Sequence, residues 1–199
     1  MCSRFEQKVR ASEVAKRFGL SDTPPLVNAP EIRPTDQALV ITSMGQPHLM
    51  AWGFEVSWDN KPLINARSET LRDKVTFRDK LENRCIIPAS AYYEWRDTGL
   101  QTPTRKLKNR ISIDGLESFS MAGLIDNNRF TIITCEPTPA IAHIHNRMPV
   151  ILSTEAEAAW VNGELGFNDV GKFLYPYDSM PIRAKEEQPP KPAQGDLFG

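Results

Sequence analysis

The chain has 199 residues, 40% of them hydrophobic and 25% charged, enough to bury a genuine core within one medium domain. Its 24 Lys and Arg against 25 Asp and Glu exclude the bulk positive field of an obligate polyanion binder, so any nucleic-acid contact has to come from a local patch. Arg4, Glu6, Lys8 and Arg10 stand where a signal peptide needs an apolar run, and no later segment reaches membrane-spanning length, which points to a soluble, cytoplasmic protein.

The chain opens Met1-Cys2-Ser3-Arg4-Phe5. An initiator Met ahead of a residue as small as Cys2 is usually removed, which leaves an α-amine one bond away from a thiol. With pKa values of about 8 and about 8.5, both groups are partly nucleophilic at neutral pH. The amine can condense with an aldehyde to an imine and the thiol can then close a thiazolidine ring, so Cys2 is a candidate aldehyde trap. The plainer reading is a frayed terminus.

Ser12 to Phe18 reads as a short helix stopped by Gly19. Residues 21–36 carry Pro24, Pro25, Pro30 and Pro34 and predict an irregular loop, extended around Asn28-Ala29-Pro30. Ala38–Thr42 and His48–Phe54 flank a turn and predict a hairpin, and residues 55–67 read as a second irregular connection. A helix is expected over Ser68–Asn83, with Leu71, Val75, Phe77 and Leu81 as its apolar stripe and Ser68 as its cap.

From Cys85 the period changes to two. Strands are expected at Cys85–Ala89, Ala91–Arg96, Thr104–Lys108, Arg110–Ile113, Ser118–Ile125 and Arg129–Cys135, in antiparallel meanders that close into a barrel or sandwich. Cys85 and Cys135 sit in these apolar runs and read as core. None of the three cysteines has disulfide or zinc-ribbon spacing. A short helix over Pro137–Ile144, a strand over Met148–Leu152 and a capped helix over Ser153–Asn162 complete the pattern. The composition then divides the chain into a domain over 1–184 and a flexible, Pro-rich tail over 185–199.

Four groups could carry chemistry beside Cys2. Glu94 lies in Tyr92-Tyr93-Glu94-Trp95; a carboxylate among aromatics is either on a solvent face or raised in pKa, as a proton shuttle needs. His143 and His145 are two apart, but with one further His in the chain and no companion cluster a single acid or base is favoured over a metal pair. Asn65 can orient an amine or thiol, and Arg67 can clamp a phosphate. Arg4, Arg67, Arg147, Trp52 and Trp95 make a phosphate grip and stacking platform for single-stranded nucleic acid if they converge; otherwise the tryptophans are core.

Taken together, Cys2 after Met1, Asn28-Ala29-Pro30, Trp52-Gly53, the run Asn65 to Thr70, Arg84 to Ala89, Tyr93-Glu94-Trp95, Ala122-Gly123-Leu124 and the run His145 to Val150 resemble the SRAP family (SOS response-associated peptidase). The resemblance implies an α+β fold, a single compact domain with an antiparallel β-barrel-like core and flanking short helices. It also implies covalent attachment to abasic sites in single-stranded DNA, through a thiazolidine between the mature Cys2 and the ring-opened sugar, with no metal or other cofactor. By the same resemblance Asn65 holds the nucleophile, Glu94 shuttles protons and assists removal of Met1, and His145 is the second acid or base, with some lyase-type reversal. Arg4, Arg67 and Arg147 fall to the DNA phosphates and Trp52 and Trp95 to the bases, and Asn28 and Pro30 are expected among the DNA-binding residues. Ser3 departs from the family's usual Gly.

In the tail, Gln194, Asp196, Leu197 and Phe198 of Gln-Gly-Asp-Leu-Phe resemble the pentapeptide that docks on bacterial sliding clamps, so the expected partners are abasic single-stranded DNA and a clamp, contacted by a monomer. Two other classes remain. An N-terminal-nucleophile hydrolase of the glutaminase type also frees a terminal Cys, and a non-catalytic single-strand-binding or clamp-tethered adaptor would be indifferent to Cys2.

Overall fold

Apolar alternation along the middle of the chain does produce strands, and five of them close on themselves. The computed structural model describes residues 2–26, 28–97 and 106–187. In chain order these hold β1 (Arg4–Glu6), α1 (Ala11–Phe18), β2 (Gln37–Thr42), β3 (Pro47–Trp52), β4 (Phe54–Val56), β5 (Asp59–Leu63), β6 (Asn65–Arg67), α2 (Val75–Arg78), β7 (Arg84–Ala89) and β8 (Ala91–Arg96). Then follow β9 (Leu107–Ile113), β10 (Phe119–Asp126), β11 (Arg129–Cys135), β12 (Met148–Pro149), β13 (Ile151–Leu152), α3 (Thr154–Trp160), α4 (Phe167–Val170) and β14 (Ile182–Glu186).

The barrel runs β3-β2-β7-β10-β11 and returns to β3. Four of its seams are antiparallel, as expected, but the closing seam is parallel, with Arg129 opposite Ala51 and Phe130 opposite Trp52. β6 also adds to β11 in parallel, placing Asn65 opposite Ile132 and Arg67 opposite Thr134. Gly123 sits where β10 crosses the interior: a Cβ there would fall 2.6 Å from Ile87 Cδ1 and 2.8 Å from the Thr131 carbonyl, so no larger residue fits. Ser153 caps α3 as expected, its hydroxyl accepting from the Ala156 N–H at 3.3 Å.

A second sheet, β1-β8-β9-β14, carries the chain's start. Far from fraying, the N-terminal segment pairs with β8, Arg4 opposite Tyr93 and Phe5 opposite Tyr92. Phe5 is fully buried and meets the Trp52 ring edge-on at 5.1 Å. The buried Gln7 amide replaces a missing strand partner: it accepts from the Leu39 N–H at 2.8 Å and donates to the carbonyls of Leu39 and Pro88 at 3.0 and 2.9 Å. Each group is satisfied, so burying this amide costs little and pins the segment to β2 and β7.

Several elements differ from expectation. The helix over Ser68–Asn83 is instead a 3₁₀ turn at Ser68–Thr70 and the single turn α2; Lys74 is extended, and Val75 is 68% exposed while Leu71, Phe77 and Leu81 are buried. Burying those three against the barrel outweighs continuity of one helix. The connection 55–67 is not irregular: β4 and β5 form a hairpin tipped by Trp58, with Pro62 tolerated because that two-stranded sheet is all edge. Among the described residues, Leu107–Ile113 is one continuous strand, residues 138–145 form tight turns in place of a helix, and Met148–Leu152 divides at Val150 between β11 and β10. β14 runs to Glu186, two residues beyond the expected domain end, and pairs with β9. Gln194, Asp196, Leu197 and Phe198, named for clamp docking, lie outside the described residues, as does Met1.

Candidate active site at the docked amino terminus

Cys2, Asn65, Glu94 and His145 come from four distant parts of the sequence and meet around the buried Cys2. β1 delivers Cys2, which is fully buried, its thiol donating to the Arg4 carbonyl at 3.4 Å. β6 delivers Asn65, whose Nδ2 donates to the Cys2 carbonyl at 2.7 Å. The Asn65 Oδ1 is buried and has no hydrogen-bond partner among the described residues. Burial, and then the charge of Glu94, push the Cys2 thiol well above its ordinary range, so it is held as a thiol until a base acts on it.

Glu94 is 2% exposed, and burial raises its carboxyl to about 7. Its Oε2 lies 3.9 Å from His145 Nε2. Burial pushes His145 the other way, below its ordinary 6.5. At neutral pH the pair therefore contains a half-protonated acid beside a neutral imidazole, two groups poised to exchange a proton. The Arg147 backbone N–H donates to His145 Nδ1 at 3.0 Å, and an N–H can only donate, so the neutral ring carries its proton on Nε2.

The flanking residues divide. Arg67 is exposed and, with Asn65, Trp58, Leu63, Thr70, Lys74, Thr76 and Phe77, lines an open cleft of about 470 Å³. Arg4 is half-buried and pairs with Glu31 at 3.5 Å. Asn28 and Pro30 are exposed, on the loop whose Ala29 carbonyl accepts from the Gln7 N–H. Trp95 is half-buried and, by alternation on β8, lies on the face opposite Glu94. Trp52 does not meet the expectation of a stacking surface: it is fully buried, stacked on Phe130 at 6.3 Å, with Nε1 donating to the Ile64 carbonyl at 2.9 Å. Arg147 has its guanidinium already engaged by Glu69 and the Thr134 carbonyl.

The family description for SOS response associated peptidase (SRAP) matches residues 1–186. The chain belongs to the SRAP family. Two Bacillus subtilis relatives, the abasic site processing proteins YoqW and YoaM, are each 32% identical over 206 residues, covering 92% of this chain and 91% and 89% of theirs. A Bacteroides thetaiotaomicron crystal structure superposes with a TM-score of 0.79 at 26% identity, covering 94% of this chain and 92% of that one. Within this SRAP chain, three residues went unnoticed in the sequence. Trp58 is 67% exposed at the cleft edge, Tyr92 presents a buried hydroxyl without a partner on the Glu94 face of β8, and Asn109 stands directly opposite Glu94 on β9. Period-two alternation around Glu94 was the available signal for Tyr92; a hairpin tip gives none for Trp58. No group of three or more His, Cys, Asp or Glu converges on a metal-sized site among the described residues.

Proposed function

We propose that this chain processes abasic sites in single-stranded DNA by covalent capture. Once Met1 is removed, the Cys2 α-amine attacks the ring-opened sugar aldehyde, giving a carbinolamine; loss of water gives the imine, and addition of the Cys2 sulfur to the imine carbon, with the thiol proton passing to nitrogen, closes a thiazolidine. Glu94 in its acid form protonates the departing hydroxyl, and as carboxylate it accepts a proton from amine or thiol; His145 exchanges that proton with it and assists opening of the sugar ring. The unpartnered Asn65 Oδ1 is an acceptor for the newly freed amine. Met1 removal draws on the same Glu94, by activating water at the Met1 carbonyl.

The observation that carries this reading is the buried Glu94, raised to about 7 by desolvation, beside His145 and a docked Cys2. That arrangement supplies acid and base at neutral pH where an amine and a thiol share one carbon skeleton. Support also comes from the relatives' name, abasic site processing protein. Arg4 and Arg67, with the Asn28–Pro30 loop, fit the DNA backbone. Trp58 takes the base-stacking role that buried Trp52 cannot, since stacking on an exposed ring is worth about 1–3 kcal/mol per base.

Incubating the protein with a single-stranded oligonucleotide carrying one abasic site is expected to give an adduct that survives denaturation, with the same oligonucleotide lacking the lesion giving none. Cys2→Ala is expected to abolish it. A wild-type protein that binds the lesion without any adduct overturns the covalent reading in favour of an adaptor.

A further inference from the structure

Arg147 was expected to grip phosphate, and both of its terminal nitrogens, Nη1 and Nη2, already meet partners inside the protein. Nη1 meets Glu69 Oε1, Nη2 meets Glu69 Oε2 at 2.9 Å, and Nη2 also donates to the Thr134 carbonyl at 2.6 Å. The Arg147 side chain is only 11% exposed. Glu69 sits in the 3₁₀ turn that follows β6, and Thr134 lies opposite Arg67 on β11. The guanidinium thus staples the 143–147 segment to β11 and to the turn that follows β6, the strand that carries Asn65. A two-point fork of this kind fixes direction as well as distance, which a single contact does not.

The backbone of the same residue touches the proton relay. The Arg147 N–H donates to His145 Nδ1, and this contact leaves the imidazole proton on Nε2, the nitrogen 3.9 Å from Glu94. The His145 Nδ1 also lies 3.3 Å from the Arg147 carbonyl, which belongs to the next peptide unit, so a small shift of the Arg147 backbone trades the N–H donor for that acceptor and favours the opposite tautomer. The position of the Arg147 backbone therefore decides which ring nitrogen can serve Glu94.

We propose that Glu69 is a positioning residue for His145: its carboxylate, holding the Arg147 guanidinium at two points, fixes the Arg147 backbone N–H that selects the His145 tautomer facing Glu94. The inference deepens the reading of His145 as the second proton carrier and rests on it.

The test is Glu69→Gln in the full chain. Gln keeps one acceptor but turns an NH₂ toward the guanidinium, so the two-point grip is lost. Nitrogen-15 imidazole correlations, assigned with His48→Gln and His143→Gln, are expected to show wild-type His145 protonated at Nε2 and the variant averaged between tautomers. Capture of the abasic oligonucleotide is expected to slow about tenfold to a hundredfold, the scale of a small misplacement of a reacting group. Affinity for an oligonucleotide carrying a non-reactive abasic analogue is expected to stay unchanged. Arg147→Lys, which keeps the charge and loses the fork, is expected to reproduce the tautomer change and serves if the first variant does not fold. An unaltered Nε2 tautomer in both folded variants overturns the proposal, as does tighter DNA binding by Glu69→Gln with an unaltered capture rate, which would make Glu69 a competitor of phosphate. If the wild type forms no adduct, the covalent reading fails while the tautomer measurement still judges Glu69.

Discussion

Glu6 and Glu94 are both buried carboxyls of one small sheet, on neighbouring strands, and they have opposite fates. Glu6 pays the desolvation that burial imposes but is met by Arg110 at 2.8 Å, the Ser90 hydroxyl at 2.8 Å and the Tyr93 hydroxyl at 3.1 Å, which together bring its carboxyl below its ordinary 4.5. For Glu94 desolvation is the largest influence and it wins, raising the carboxyl to about 7. Burial sets the stakes for a carboxylate; the company it keeps decides its charge. One carboxyl is fixed as an anion that holds the N-terminal strand to β8 and β9, and the other takes and gives up a proton near neutrality.

The largest effect that can break this contrast is at Glu94. Glu94→Gln is expected to slow adduct formation on abasic single-stranded DNA by about a hundredfold or more, the contribution of a positioned acid-base group, read in single-turnover assays. It is also expected to stabilise the fold at alkaline pH. Because the folded carboxyl titrates near 7 against an ordinary 4.5, its favourable protonated state is complete below 4.5 and is lost as pH rises through 7. The variant should therefore equal the wild type in acid and exceed it above neutrality, by up to about 3 kcal/mol in denaturant titrations. A variant no more stable than wild type at pH 8 would show that Glu94 is not strained by its burial.

Glu6→Gln is expected to act the opposite way, costing about 2 kcal/mol at neutral pH because Arg110 loses its partner, discounted for that residue's partial exposure. As a lowered carboxyl, Glu6 stabilises above its ordinary 4.5, and that contribution is lost as pH falls through the folded value. The deficit of the variant should accordingly shrink in acid. The smallest effect is expected from Tyr93→Phe, which removes one donor to Glu6 for about 1 kcal/mol and raises the Glu6 titration in carbon-13 carboxyl spectra. An unmoved Glu6 titration would assign the lowering to Arg110 and Ser90 alone.

The contrast itself was only half legible in the sequence. Tyr93-Glu94-Trp95 announced a carboxyl among aromatics, and period-two alternation placed it on a strand, but Glu6 looked like any charged residue near a terminus. Its role depends on Ser90 and Arg110, which reach it only through the pairing of β1 with β8 and β8 with β9. The same limit explains the other departures. Leu71, Val75 and Leu81 mimic a helical stripe, yet only packing decides that Val75 faces solvent. Ser153 marked α3 because a cap is local chemistry. Trp52 and Trp58 are six residues apart and equally aromatic, and nothing local says which one the barrel takes inside. Glu69 follows Arg67 closely in sequence, but its meaning comes from Arg147, which only the closed barrel brings to it.

The parallel seam has a bearing on how mutations elsewhere will be felt. β11 closes the barrel against β3 and β10 and at the same time carries β6, so the strand bearing Asn65 has its seat only while the barrel is closed. Any opening of the barrel therefore dismantles the site with it. A destabilising change in the barrel wall will lower the number of competent molecules and leave the chemistry of each survivor untouched.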